Sequence, residues 1–192
     1  MGKARAAVVT AAASVMVATT VLAGQAFAEA DAASDAASPA AQAARSQALA
    51  AGTPCSVGAR SCVDLESQRA WLLDQGKVVR GPVKISSGGN GTETPVGHSL
   101  RVYRKEADHK STESRLPNGE PAPMPWSVFF EDGGIAFHAG SPQRSSAGCI
   151  HLDAADARAW FDFLQVGDQV QVVKASEERA AREAAATGSD EE

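Results

Sequence analysis

With 192 residues, 44% of them apolar, and a formal charge of −5 at pH 7, the chain has room for a single core. A core of about 110 to 130 residues would leave processed or flexible ends. The acidic balance excludes a nucleic-acid binder, because no basic stripe is present to neutralise phosphates. Residues 1–28 read as a secretory signal: Lys3 and Arg5 supply the positive start, 6–22 an apolar and small-residue stretch, and Ala26, Phe27 and Ala28 a small-x-small cleavage site. An uncleaved membrane anchor shares this pattern, and a lipoprotein is ruled out because Gln25 stands where the lipidated cysteine must be. Cleavage would remove two cations and leave a charge of about −7, with no stable membrane insertion afterwards. From 29 to 54 the chain is Ala-, Ser-, Gln- and Asp-rich, too poor in large apolar side chains to offset the entropy of ordering, and reads as a flexible linker. The acidic stretch 175–192 reads as a matching solvated tail, helical or disordered, leaving 55–174 as the domain.

Export exposes the three cysteines to an oxidising compartment. Cys55 and Cys62 flank Gly58 and can close a small loop as a disulfide, which is entropically easier than pairing either with Cys149. The domain reads as mainly β, with short apolar or alternating runs at 62–65, 70–73, 78–85, 99–103, 126–130, 135–138 and 169–173. Asp74-Gln75-Gly76 and Asp132-Gly133-Gly134 fit hairpin turns. The long polar segment 105–125 reads as a functional or disordered loop. Tyr103 is expected in the core with a wet hydroxyl, and His98 and His109 on the surface. One principal helix follows over 154–164, capped by Asp153, with Ala157, Trp160, Phe161 and Leu164 on its buried face.

Chemistry concentrates in 135–152, I-A-F-H-A-G-S-P-Q-R-S-S-A-G-C-I-H-L. A strand-like approach delivers His138, a Gly/Ser/Pro loop follows, and Ser146, Ala147, Gly148 and Cys149 close it before apolar residues resume. A cysteine attacks as its thiolate, and a nearby imidazole is the usual means of generating one near neutral pH. Gly148 lets the backbone bend so that the N–H groups of Ala147, Gly148 and Cys149 can point at a developing oxyanion. His151 lies two residues past Cys149, so both side chains of an extended chain face one side. The pattern is that of an acyl-transfer site. Cys149, His138 and His151 are also metal-ligand types, but the spacing lacks C-x-x-C or H-E-x-x-H, and neither a metal nor a cofactor is expected.

These residues resemble the L,D-transpeptidases of bacterial cell-wall synthesis (YkuD-type catalytic domain), through His138-Ala-Gly140, Ser146-Ala-Gly148-Cys149-Ile-His151, the Thr94-Pro95-Val96-Gly97 turn and the Trp71-Leu-Leu-Asp-Gln-Gly-Lys opening strand and hairpin. The resemblance covers roughly 61–173 and implies a β-sandwich-like catalytic fold with its main helix after the cysteine. It also implies Cys149 as nucleophile, His138 as base, and a backbone carbonyl of Ala139 or Gly140 orienting the imidazole. By the same resemblance 105–125 is a mobile lid with Pro123, Met124 and Trp126 on its inner wall, Ser146 and Trp126 touch substrate, and His151 binds the substrate's carboxylate or serves as an alternative base. The implied partners are peptidoglycan stem peptides, a tetrapeptide donor and an acceptor amine, with carbapenems as inhibitors and a secreted, wall-associated location. Ala147 where relatives have His, His151 where Arg or Asn is common, and the short His-to-Cys loop are departures that bear on substrate contacts. Hydrolysis in place of cross-linking, or a wall-binding module without turnover, are the alternative readings. A papain-like protease is disfavoured, because there the cysteine precedes its histidine, whereas here it follows by eleven residues.

Overall fold

The computed structural model describes residues 38–188; the signal expected over 1–28 and the last residues of the tail lie outside them. Helix α1 (Pro39–Arg45) precedes strands β1 (Ser61–Asp64), β2 (Arg69–Asp74), β3 (Lys77–Lys84), β4 (Gly97–Arg101), β5 (Arg104–Arg115), β6 (Pro121–Glu131), β7 (Ile135–Ala139) and β8 (Ile150–Leu152). Helix α2 (Ala154–Phe163), β9 (Gln169–Val173) and helix α3 (Ala175–Gly188) complete the chain. The strands form two sheets, one of order β3-β2-β1-β9-β4 and one of order β5-β6-β7-β8, as the mainly β expectation requires.

Alternation along β2 explains why the first sheet is covered on both faces: Ala70 and Leu72 point into the main core, Trp71 and Leu73 into a second cluster around the Cys55–Cys62 disulfide. That disulfide is the expected one, and Cys149 is free. Between β1 and β2 the Asp64 carboxylate accepts from the N–H groups of Glu66 and Ser67 at 3.1 and 3.3 Å, a side-chain-closed turn that returns the chain on itself. Helix α2 starts where expected, Asp153 accepting from the Asp156 N–H at 2.9 Å. Its Trp160 is fully buried, donates Nε1–H to Ser61 Oγ of β1 at 3.0 Å and lies 6.3 Å from the Phe137 ring of β7. One side chain thus ties both sheets, and truncating it to alanine would cost about 3–5 kcal/mol.

Four expectations are corrected. The 105–125 segment is no loop: β5 pairs with β6 in a long hairpin, with Lys105 opposite Val128 and His109 opposite Met124. Its charged side chains hide the strand, since an edge strand with solvent on most of its surface needs no apolar period and is protected from aggregation by charge. Residues from 39 onward in the expected linker are ordered, packed against a tail that takes the helical one of its two expected forms, α3. A seven-residue helix is too short to stand alone. It is held because Arg182 donates to the carbonyls of Ala44 (3.2 Å), Arg45 (2.9 Å) and Gln47 (2.8 Å), satisfying acceptors that the helix end leaves open. His98 is buried, not on the surface. Its Nε2 meets Glu178 Oε2 at 2.8 Å, and Arg45 and Arg182 also bind that carboxylate, at 3.0 and 2.8 Å. Burial pushes the Glu178 carboxyl up, but hydrogen bonds and charge from His98 and Arg45 outweigh it and hold it below the ordinary range. Tyr103 is 45% exposed, donating its hydroxyl to the Glu131 carbonyl at 3.4 Å.

Candidate active site

The thiol and the imidazole are brought together by a parallel pairing of β7 with β8, in which His138 sits opposite His151 and Phe137 opposite Ile150. Paired residues of neighbouring strands point to the same side and successive residues alternate. Phe137, Ile150 and Leu152 therefore enter the main core, while His138 and His151 occupy the other face. Cys149, one residue before β8, falls on that same outer face and packs against Met124, Phe129 and Ala136. His138 and His151 stack edge to face, their centroids 4.8 Å apart.

The His138 ring has a defined tautomer. Its Nδ1 lies 3.0 Å from the Ala139 carbonyl, which can only accept, so Nδ1 carries the hydrogen and Nε2 keeps a lone pair. Ala139, expected as a candidate for orienting this ring, is the residue that does so. Burial, reinforced by charge from His151 and His109, lowers His138 to about 4 despite the opposing Ala139 bond. Burial also raises the Cys149 thiol, against a hydrogen bond from Ala136, and Sγ–H donates to the Gly134 carbonyl at 3.7 Å. The resting site thus holds a neutral thiol and a neutral imidazole on one sheet face. Such a pair can still pass a proton at the moment the sulfur attacks.

The loop between the two strands is fixed by hydroxyl groups. Ser146 Oγ donates to the Cys149 carbonyl at 2.5 Å and accepts from the Gly148 N–H at 3.0 Å. Gly148 has φ +111°, a conformation that side-chain-bearing residues rarely adopt, so the backbone itself demands glycine. Thr94, buried in the Thr-Pro-Val-Gly turn, donates to the Gly148 carbonyl at 2.7 Å and accepts from the Gly88 N–H at 3.0 Å. The Ser87 carbonyl accepts from the Ser146 N–H at 3.0 Å. Residues 86–94 are therefore the bed on which the thiol's turn rests. Sequence reasoning does not single out Thr94 as a site residue, although the motif containing it is visible. Gly140 is needed for a different reason: a Cβ there would lie 2.7 Å from the His151 ring.

Two expected substrate contacts fall elsewhere. Ser146 turns its hydroxyl inward as a clamp. Trp126, with φ +60°, stacks on Phe161 of α2 at 5.4 Å beneath the Arg158 guanidinium, on the side of the sheet opposite the thiol. Ser127 Oγ donates to the Met124 carbonyl at 2.7 Å across this kink, and Met124, not Trp126, reaches the Cys149 cluster. Pro123 is exposed.

Residues 45–172 match the family model described as the L,D-transpeptidase catalytic domain, YkuD. The chain belongs to that family. No curated protein sequence matches it. Among solved structures, an L,D-transpeptidase from Stackebrandtia nassauensis is 28% identical over 59% of this chain and 54% of its own, with a TM-score of 0.51. A Cys-to-Ser mutant of the Enterococcus faecium L,D-transpeptidase is 26% identical over 60% of this chain and 50% of its own, TM-score 0.51. The Ldtfm-avibactam carbamoyl enzyme is 26% identical over 60% and 49%, TM-score 0.53. This L,D-transpeptidase domain thus spans about half the length of the solved chains it matches.

Proposed function

We propose that the protein is a secreted peptidoglycan L,D-transpeptidase in which Cys149 is the nucleophile and His138 the base. The observation that carries this is the β7–β8 register, which supports a thiol and an Nε2 lone pair working from one sheet face. In the first half-reaction Sγ attacks the carbonyl joining the L-centre of a diamino acid, third in a stem peptide, to the terminal D-Ala, as the thiol proton passes to His138 Nε2. The C–N bond breaks, the imidazolium returns that proton to the departing amine, and a thioester remains. An amine of a second stem then attacks the thioester, His138 takes its proton, and the thiolate leaves and is reprotonated, giving a 3→3 cross-link. Because the Gly148 N–H is engaged by Ser146, the oxyanion falls to the N–H groups of Cys149 and Ala147, each worth about 3–4 kcal/mol.

The avibactam carbamoyl form of a relative supports a nucleophile that takes up carbonyl electrophiles, and carbapenems should acylate Cys149 likewise. The Cys55–Cys62 disulfide supports an oxidising, extracellular location. The test is incubation with purified tetrapeptide muropeptides and mass analysis of the products. D-Ala together with dimer is expected; D-Ala with tripeptide alone would make the protein an L,D-carboxypeptidase; no release of D-Ala would overturn the reading.

A further inference from the structure

We propose that Arg144 is the carboxylate anchor of this site, pairing with the free α-carboxylate of the D-amino acid that leaves. The proposal rests on the reading above, because it concerns stem peptides that end in a free carboxylate. Arg144 lies on the loop between His138 and Cys149 and is the sole Lys, Arg, Asp or Glu from 139 to 152. Its backbone is held by the site itself. The Arg144 N–H donates to the Ser141 carbonyl at 3.3 Å, and its own carbonyl accepts from Ser86 Oγ at 2.7 Å and from His151 Nδ1 at 3.2 Å. Ser86 is 8% exposed, so this support is part of the packed wall.

The side chain, by contrast, is exposed, and among the described residues its guanidinium has no carboxylate or carbonyl partner. Arg45, Arg60, Arg80, Arg104, Arg158 and Arg182 each have a carboxylate. Across the thiol's face the carboxylate of Glu106 is already engaged by Arg104 and His109, and that of Glu93 accepts from the Gly91 N–H. Among the described residues Arg144 is therefore a positive charge without a counter-charge, on the exposed loop between a thiol and an imidazole that are both neutral. Burial first, and the nearby Arg144 charge with it, keeps His151 below the ordinary histidine range, which supports a guanidinium adjacent to that ring. A planar guanidinium can bind a carboxylate through two parallel N–H bonds. The α-carboxylate of the leaving D-amino acid is two bonds from the scissile nitrogen, so a cation on the nucleophile's own loop is well placed to hold it.

The experiment measures binding without turnover. The Cys149→Ala protein is titrated with a tetrapeptide stem ending in D-Ala and with the same peptide amidated at its C-terminus. The free acid should bind about tenfold more tightly than the amide, Arg144→Gln in the same background should abolish that preference, and Arg144→Lys should retain part of it. A preference that survives Arg144→Gln undiminished, or no measurable preference in the Cys149→Ala protein itself, overturns the proposal. D-Ala release by the unmodified protein is followed separately: absence of release with an intact Arg144-dependent preference would sink the transpeptidase reading and leave the carboxylate site standing.

Discussion

The two sheets are held by opposite means. At the far edge of the first, charge carries the structure: one buried carboxylate, Glu178, joins His98 of β4, Arg45 of α1 and Arg182 of α3, so both ends of the described chain are tied to one strand. On the outer face of the second sheet, around Cys149, support comes from neutral groups. Hydroxyls of Ser86, Thr94 and Ser146 fasten the loop carbonyls, and Met124, Phe129 and Ala136 pack around the sulfur. A buried ion cluster beside the thiol would set its protonation in advance. Neutral fastening leaves thiol and imidazole free to exchange a proton when substrate arrives, and leaves Arg144 as the charge available to a ligand.

The sharpest break between the two regions comes from Cys149→Ala, which should lower D-Ala release by about a thousandfold or more while leaving the thermal midpoint within about 2 °C. His138→Gln should lower the same rate by about 10²- to 10⁴-fold, again with little change in stability. The opposite signature is expected from Glu178→Ala: a loss of about 3–5 kcal/mol in denaturant titration, because His98 and two arginines are stranded, with turnover per folded molecule unchanged. Thr94→Val sits between them. It leaves the Gly88 N–H without its acceptor and frees the Gly148 carbonyl, which should cost about 1–3 kcal/mol and also slow the folded enzyme.

The smallest effect is in pH. With His138 lowered to about 4, the neutral base persists well below the ordinary histidine range. The acid limb of kcat/KM should therefore fall near pH 4, and a limb near the ordinary histidine value of about 6.5 would mean that the free enzyme holds a charged imidazole. The linked stability runs the same way: because the folded pKa lies below the unfolded one, the contribution of His138 is complete above about pH 6.5 and is lost as pH falls from there toward about 4.

Much of this is legible in the sequence because it is written in local spacing. The strand into His138, the glycine before Cys149, the Asp153 cap and the Cys55–Cys62 pairing each depend on neighbours a few residues apart. What is not legible depends on distant partners. His98 looks like a surface histidine until Glu178, eighty positions on, buries it. Apart from Pro39, the 39–45 helix has no apolar side chain larger than alanine, and it is held where Arg182 meets its carbonyls. β5 carries no apolar period, because its pairing with β6 and its role as an edge let its side chains remain polar. Trp126 is expected on the thiol's face and lies on the other, in phase with Val128 and Phe130 of the main core; the kink at its positive φ brings Met124, not Trp126, to the thiol's side.

The central claim is tested most directly by intact-mass analysis of the protein mixed with a carbapenem, followed by peptide mapping. One covalent adduct per chain is expected, on the peptide containing Cys149 and absent from Cys149→Ala. An unmodified protein, or an adduct on any other residue, would contradict a nucleophilic sulfur at this position.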